Sequence, residues 1–417
     1  MSEGSGAFLK YKKKILLYAV NALLLILIGV CLLRSSYYSN LLLSQQAAKY
    51  WAGDSQERFA QVSCFFPVNN PASLDTVLAF RKTIDSKLIE GGIKPKEEGE
   101  NWTDCYSAAD TLTVSGDRNS AEATVFGVGG DFFLFHPYQL VSGSYIYDDD
   151  LMKDRVVLDY ELAWKLFGGT SLEGMTVTIN GNPYYVAGVV RRETDKFSQK
   201  AFSGEPAMFI SYSTLSVLKE GTGISCYELA MPNPISKFAK SFTVESFKAQ
   251  KGVVVENSSR YAFTSIYSIF SHFGSRSMAT NGVIYPYWEN AARISEVYIA
   301  RLYVFIFLLS LFPFVCLVIL SVIFIKFLRL KLKRACFSIW DAWDDRYARQ
   351  AARKERRAQK RRNKILGEHN KRLKLIKKAP QKDSETQEAL SEKEIALDIE
   401  SIVREIMDEM ESSDAQF

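Results

Sequence analysis

The 417 residues include only three histidines, six cysteines and eleven prolines. His136, His272 and His369 are scattered, and the chain has no H-E-x-x-H, no G-x-S-x-G and no phosphate-cradling G-x-x-x-x-G-K-[ST]. Zinc-protease, serine-hydrolase and ATPase chemistry therefore find no carrier in it. The expectation is a non-enzymatic protein with no catalytic residue, no cofactor and no metal site. No C-x-x-C occurs, which speaks against a zinc ribbon or a redox motif. Asp148–Asp150 with Asp154 lacks the alternating ligands and central glycine of a calcium loop and reads as a solvated acidic turn. Gly127-Val128-Gly129-Gly130 has no helix signal after it and reads as a turn rather than a phosphate loop.

Charge is missing from two long stretches. Ile15–Leu33 and Leu302–Ile325 contain none. At 1.5 Å per residue each is long enough to cross a hydrocarbon core of about 30 Å as a helix. The competing reading of the first is a secretory signal. Its apolar run exceeds the usual length and no small-x-small cleavage site follows, which favours an uncleaved anchor. Pro313 is expected to kink the second. Lys10 and Lys12–Lys14 abut the first run, and Lys326, Arg329, Lys331, Lys333 and Arg334 abut the second. By the positive-inside rule both termini are cytoplasmic at the cell membrane and the segment between is extracytoplasmic. Of the cysteines, Cys64, Cys105 and Cys226 then lie outside, and one disulfide among them stays open.

The bulk figures, 47% hydrophobic, 24% charged and a net charge of +5, conceal this segregation. Residues 1–14 carry +3; residues 326–382 hold 21 Lys/Arg against 5 Asp/Glu, a net of +16; residues 383–417 hold 2 against 12, a net of −10. The domain plan is a basic N-terminus (1–14), anchor one (15–33), an outer domain (34–301), anchor two (302–325), a basic segment (326–382) and an acidic segment (383–417).

Tyr37–Trp51 reads as a helical continuation of the first anchor. In the outer domain Phe59–Phe66 alternates as a strand, and Ser73 caps a helix running from Leu74 to Gly91-Gly92. Asn180-Gly181 joins Thr176–Ile179 to Tyr184–Val190, the strongest short-range hairpin signal. Strands at Ala207–Ile210, Cys226–Ala230 and Val253–Glu256 and a helix at Ile235–Ala249 complete the pattern. The order is βαβ…ββαβ, a split ferredoxin-like arrangement with a β-rich insertion at about 115–205. The fold class is α+β: two transmembrane helices flank a ferredoxin-like α/β subdomain, and a charged helical tail follows.

Within this stretch Gly129-Gly130-Asp131-Phe132-Phe133, Val156-Val157-Leu158, Ala163-Trp164-Lys165-Leu166-Phe167-Gly168-Gly169, Gly174-Met175-Thr176-Val177-Thr178-Ile179-Asn180-Gly181 and Tyr185-Val186-Ala187-Gly188-Val189-Val190 follow one another. This ordered set resembles the MacB-like periplasmic core domain of FtsX-type ABC-transporter permeases. The resemblance spans roughly 15–325. It implies a β-containing subdomain set in an α/β subdomain on the membrane, and a partner ATPase whose work is passed outward. Full permeases add a third and fourth transmembrane helix; here a charged tail follows the second apolar run. The expectation is a non-catalytic companion subunit, partnered by an ABC ATPase subunit, a full-length permease or both, in a homo- or hetero-oligomer.

Aromatic residues crowd 257–301 and are expected to pack the base of the domain onto the anchors. Trp288–Arg301 is expected to form a stalk helix, with Arg293 and Glu296 as an exposed pair. In the tail, Phe337, Ile339, Trp340 and Trp343 suit the inner headgroup layer, and Arg346–Lys378 reads as a basic helix near anionic lipid. Membrane tethering argues against nucleic acid. Ile395, Ile399, Ile402, Val403, Ile406 and Met410 recur at helical spacing and read as a partner-binding stripe, or as a docking helix for the basic segment, with plain disorder as the competing reading. The rival to the transporter reading is a two-anchor sensor or scaffold with a ligand-binding outer domain.

Overall fold

A computed structural model describes residues 3–94, 99–202, 204–271, 279–280, 282–376 and 400, 401 and 404. The chain divides into two units, Met1–Leu317 and Val318–Phe417. In the first, helix α1 (Glu3–Ser39) carries the first apolar run. It stops at Ser39, so the expected continuation to Trp51 is replaced by a single 3-10 turn at Leu43–Gln45 and a short α2 (Ala47–Ala52). The break has a tertiary cause. The buried Gln61 side chain accepts a hydrogen bond from the Ala47 amide at 2.9 Å and donates to the Ser44 carbonyl at 2.7 Å, stitching the turn onto the sheet.

The sheet is built from β1 (Phe59–Phe65), then α3 (Leu74–Glu90), β2 (Thr103–Ser115), β3 (Ser120–Gly130), α4 (Phe132–Phe135), β4 (Gln139–Gly143) and β5 (Arg155–Asp159). It continues with α5 (Tyr160–Phe167), β6 (Thr176–Ile179), β7 (Asn182–Arg191), α6 (Lys196–Ala201), β8 (Ala207–Ser211), α7 (Tyr212–Leu218), β9 (Cys226–Pro232), α8 (Phe238–Ser246) and β10 (Val253–Glu256). Strand order is β10-β1-β9-β2-β3-β8-β5-β7-β4, with β6 bridging β2 and β7. Each of the first four strands is antiparallel to its neighbour, with α3 crossing from β1 to β2 and α8 from β9 to β10. β8 pairs with β3 in parallel and with β5 antiparallel.

Both faces are covered, and side chains alternate between them as strand geometry requires. Val62 and Cys64, Tyr106 and Ala108, Val156 and Leu158, and Tyr227 and Leu229 enter one core with α3, α5, α7 and α8. Phe65, Cys105, Val157, Cys226 and Phe209 enter the other, beneath α2, α4 and Trp288. Local signals set the elements. Ser73 Oγ accepts from the Thr76 amide to cap α3, and Gly168 ends α5 in the left-handed region (φ 76°). Asn180 and Gly181, both at positive φ, turn β6 into β7. The Gly127–Gly130 run, expected as a turn, is instead the end of β3. A Cβ on Gly129 would lie 2.2 Å from Tyr106 Cζ, and one on Gly127 2.7 Å from Leu215 Cβ; strand and neighbours close because these side chains are absent. Cys64, Cys105 and Cys226 are buried free thiols.

After β10 come α9 (Phe263–Ser271), β11 (Ala279–Thr280), β12 (Val283–Ile284) and α10 (Tyr287–Ile376). α10 carries the second apolar run and, in the second unit, the basic segment, where Phe337, Trp340, Trp343 and Tyr347 are exposed.

Candidate functional site

The first turns of α10 belong to the core of the outer domain. Trp288 is buried, its ring 4.4 Å from His136 and 5.7 Å from Phe126, and Ala291, Ala292, Ile299 and Ala300 are buried below it. Glu289 and Glu296, two helical turns apart, share one face of α10. Both reach Arg260, which the 3-10 turn after β10 delivers to them. Arg260 Nη2 donates to Glu289 Oε2 at 2.5 Å, and Nη1 donates to Glu289 Oε1 at 3.1 Å and to Glu296 Oε1 at 3.3 Å. All three side chains are almost completely buried. Tyr261 and Ser295 share a hydroxyl–hydroxyl bond of 2.8 Å beside them. Glu296 is thus buried in an internal ionic clasp, not exposed as expected, and Arg293 lies half-buried over the Tyr285 ring at 4.3 Å. The expected packing of aromatics at the base of the domain is present here.

A second contact ties α1 to α10 through α6. Asp195 caps α6 by accepting from the amides of Phe197 and Ser198. That places Phe197, fully buried, against Tyr38 of α1 (5.1 Å) and Tyr298 of α10 (5.4 Å). Lys196 sits 4.3 Å over the Tyr298 ring, and Lys200 bonds the Tyr298 hydroxyl. Farther along, Asn21 lies 3.6 Å from Cys316 Sγ. Both helices therefore engage the same small helix of the domain.

Buried carboxylates are the other polar feature. Asp104 takes two bonds from Arg81, at 2.8 and 2.7 Å, and one from the Tyr227 hydroxyl at 2.7 Å. Asp159 caps α5 through the Leu162 amide and pairs with Arg192. Burial pushes both above the ordinary aspartate range despite the arginines. Glu228 lies between His136 Nε2 at 2.6 Å and Ser63 Oγ at 2.7 Å, with Cys105 Sγ 4.0 Å away. Burial, with Glu228 close by, pushes the Cys105 thiol well up. No sequence spacing signalled this trio; its members come from three separate elements.

Beside Trp288 a cavity of about 450 Å³ is lined by Phe66, Phe126, Phe202, Tyr285 and Arg192 among others. Arg192 stacks on Phe202 at 3.6 Å and is held by Asp159 and the Glu205 carbonyl. The Asp148–Asp150 turn is on the surface, with Asp150 accepting from the Tyr147 amide. Ile395, Ile399, Ile402, Val403, Ile406 and Met410 lie outside the described residues.

Residues 85–249 match the family model of the MacB-like periplasmic core domain. Among curated proteins there is no significant match. Solved structures similar to this chain include the extracellular domain of the noncanonic ABC-type transporter YknZ from Gram-positive bacteria, at 16% identity and a TM-score of 0.33, covering 46% of this chain and 93% of that one. The periplasmic region of MacB from Actinobacillus actinomycetemcomitans matches at 16% identity and a TM-score of 0.34, covering 52% and 94%. A domain of a putative permease from Porphyromonas gingivalis matches at 14% and 0.29, covering 48% and 89%. The match to the MacB-like periplasmic core domain model over residues 85–249 takes in the ordered motifs from Gly129 to Val190.

Proposed function

We propose that this protein is a non-catalytic membrane component of an ABC-type transporter or mechanotransmission complex, coupling an ATPase partner in the cytoplasm to the outer domain. The observation that carries the reading is the clasp of Arg260 on Glu289 and Glu296. It fastens the domain to a helix that continues from the domain core into an apolar run. A buried bidentate pair fixes orientation as well as distance, which is what a joint under load requires. The Tyr38–Phe197–Tyr298 contact gives the first apolar helix the same purchase. We read β10-β1-β9-β2 with α3 and α8 as a split ferredoxin-like subdomain standing on these helices, and the remaining strands as its insertion. The basic flanks favour both termini on the cytoplasmic side. There the acidic segment 383–417, with its stripe from Ile395 to Met410, is the proposed contact for the ATPase or a longer permease.

Affinity purification of the full chain in mild detergent is expected to recover an ATPase or a four-helix permease, and deletion of 383–417 to reduce that recovery. Isolation of the protein alone, or with signalling enzymes, would overturn the proposal. The sensor reading draws on the aromatic cavity beside Trp288, which has the size and lining of a small-ligand pocket. Under that reading an apolar ligand binds the outer domain and the purified complex contains no ATPase.

A further inference from the structure

We infer that Cys105, His136 and Glu228 form a binding site for a zinc-class divalent ion inside the outer domain. Cys105 and Glu228 are direct cross-strand partners on β2 and β9, so their side chains leave the sheet side by side on one face. His136 closes α4 and is laid over them by the packing of Phe132 and Trp288 against its ring. All three are buried, and one ligand atom from each lies within 4.8 Å of the other two. A four-coordinate zinc at about 2.0–2.3 Å from sulfur, nitrogen and oxygen holds those atoms about 3.3–3.8 Å apart. Small side-chain rotations separate the 2.6 Å His136–Glu228 pair and draw the thiol at 4.0 Å inward to that spacing.

Charge is the second, independent argument. Among the described residues, the other buried carboxylates that form ion pairs each face an arginine: Asp104 faces Arg81, Asp159 faces Arg192, and Glu289 and Glu296 face Arg260. Among the described residues Glu228 has the imidazole, the Ser63 hydroxyl and, at 4.0 Å, the Cys105 thiol, with no arginine or lysine. A divalent ion held by Cys105, His136 and Glu228 would bring positive charge to this site. With Glu228 ionised and Cys105 as thiolate, the two negative charges cancel the ion's two positive ones. The thiol proton leaves to solvent on binding. The ring proton of neutral His136 then resides on Nδ1, an atom with no hydrogen-bond partner of its own. The support expected behind a ligating carboxylate is also present. Ser63 Oγ donates to the far oxygen of Glu228 at 2.7 Å, and Asn257 Nδ2 donates to Ser63 at 2.9 Å. The donor set of one thiolate, one imidazole and one carboxylate suits zinc and excludes magnesium and calcium, which take oxygen ligands. Bound there, the ion ties β2 and β9 to the loop that follows β3 and α4.

The test uses the full-length, untagged protein in detergent. It is stripped with a chelator, loaded with zinc or cobalt(II), and desalted. About one ion per chain is expected to remain. The cobalt form is expected to show the near-ultraviolet charge-transfer absorption of a thiolate ligand. Cys105→Ser is expected to abolish that absorption, while Cys64→Ser and Cys226→Ser keep it. Glu228→Gln is expected to lower metal retention. Failure of the wild-type protein to retain either metal, or a thiolate band that survives in Cys105→Ser, overturns the inference, and the wild-type result is decisive even if a variant does not fold.

Discussion

Arg260 is a residue whose loss the molecule would absorb badly. It faces two carboxylates where water does not reach, and removing one partner of a buried ionic group costs about 3–5 kcal/mol because the remaining charge stays buried. Arg260→Met is therefore expected to destabilise the outer domain by that order, and Arg260→Met with Glu289→Leu by distinctly less. Thermal unfolding of both variants in detergent checks the difference; equal losses would show that the clasp is not the source. Asp159 has a different signature. Its native pKa is raised above the ordinary value of 3.8 by burial, so between those two values the native state keeps a proton that the unfolded chain has released. Its contribution to stability is complete below 3.8 and declines as pH rises through the native value. Asp159→Asn keeps the cap on α5 and is expected to remove that slope from the curve of melting temperature against pH; parallel curves for the two proteins would contradict it.

At the scale of elements, the two glycines inside β3 behave as packing devices. Gly129→Ala would push a methyl into the Tyr106 ring and is expected to cost about 1–3 kcal/mol, measurable by denaturant unfolding. A neutral outcome would mean that Tyr106 can swing away. These glycines also mark where sequence legibility ends. The Ser73 cap, the Gly168 stop and the Asn180-Gly181 turn act on their immediate neighbours, so α3, α5 and the β6–β7 hairpin could be read from a few residues each. Gly127 and Gly129 are required by Leu215 and Tyr106, partners remote in sequence, and locally they look like a turn. The end of α1 is similar, since the residue that breaks the helix, Gln61, lies on the next strand. The clasp was half legible. Glu289 and Glu296 show their shared face by spacing, but nothing near them announces Arg260. The Cys105–His136–Glu228 trio gave no signal, because its residues lie far apart in sequence and are joined by the pairing of β2 with β9 and with β3, which α4 follows.

For the molecule as a whole, the proposed orientation, drawn from the segregated charge, can be tested by labelling. In a background without other cysteines, Cys336, exposed on α10, is expected to react with a membrane-impermeant maleimide only after the cells are opened. A cysteine introduced at Leu151, 97% exposed on the outer domain, is expected to react in intact cells. The reverse pattern would invert the topology. The sheet adds a constraint on how any displacement of α10 could spread. β2 and β3, thirteen and eleven residues long, form a ribbon about 40 Å in length. Its root borders β9, its middle borders β8, and its tip meets β6. Such a ribbon resists extension, because pulling on it loads covalent backbone and a full ladder of hydrogen bonds. It yields to torsion, because strand twist varies over tens of degrees at little cost. Movement entering at the clasp would therefore leave the far end of the domain as a turn, like a driveshaft, and not as a stretch.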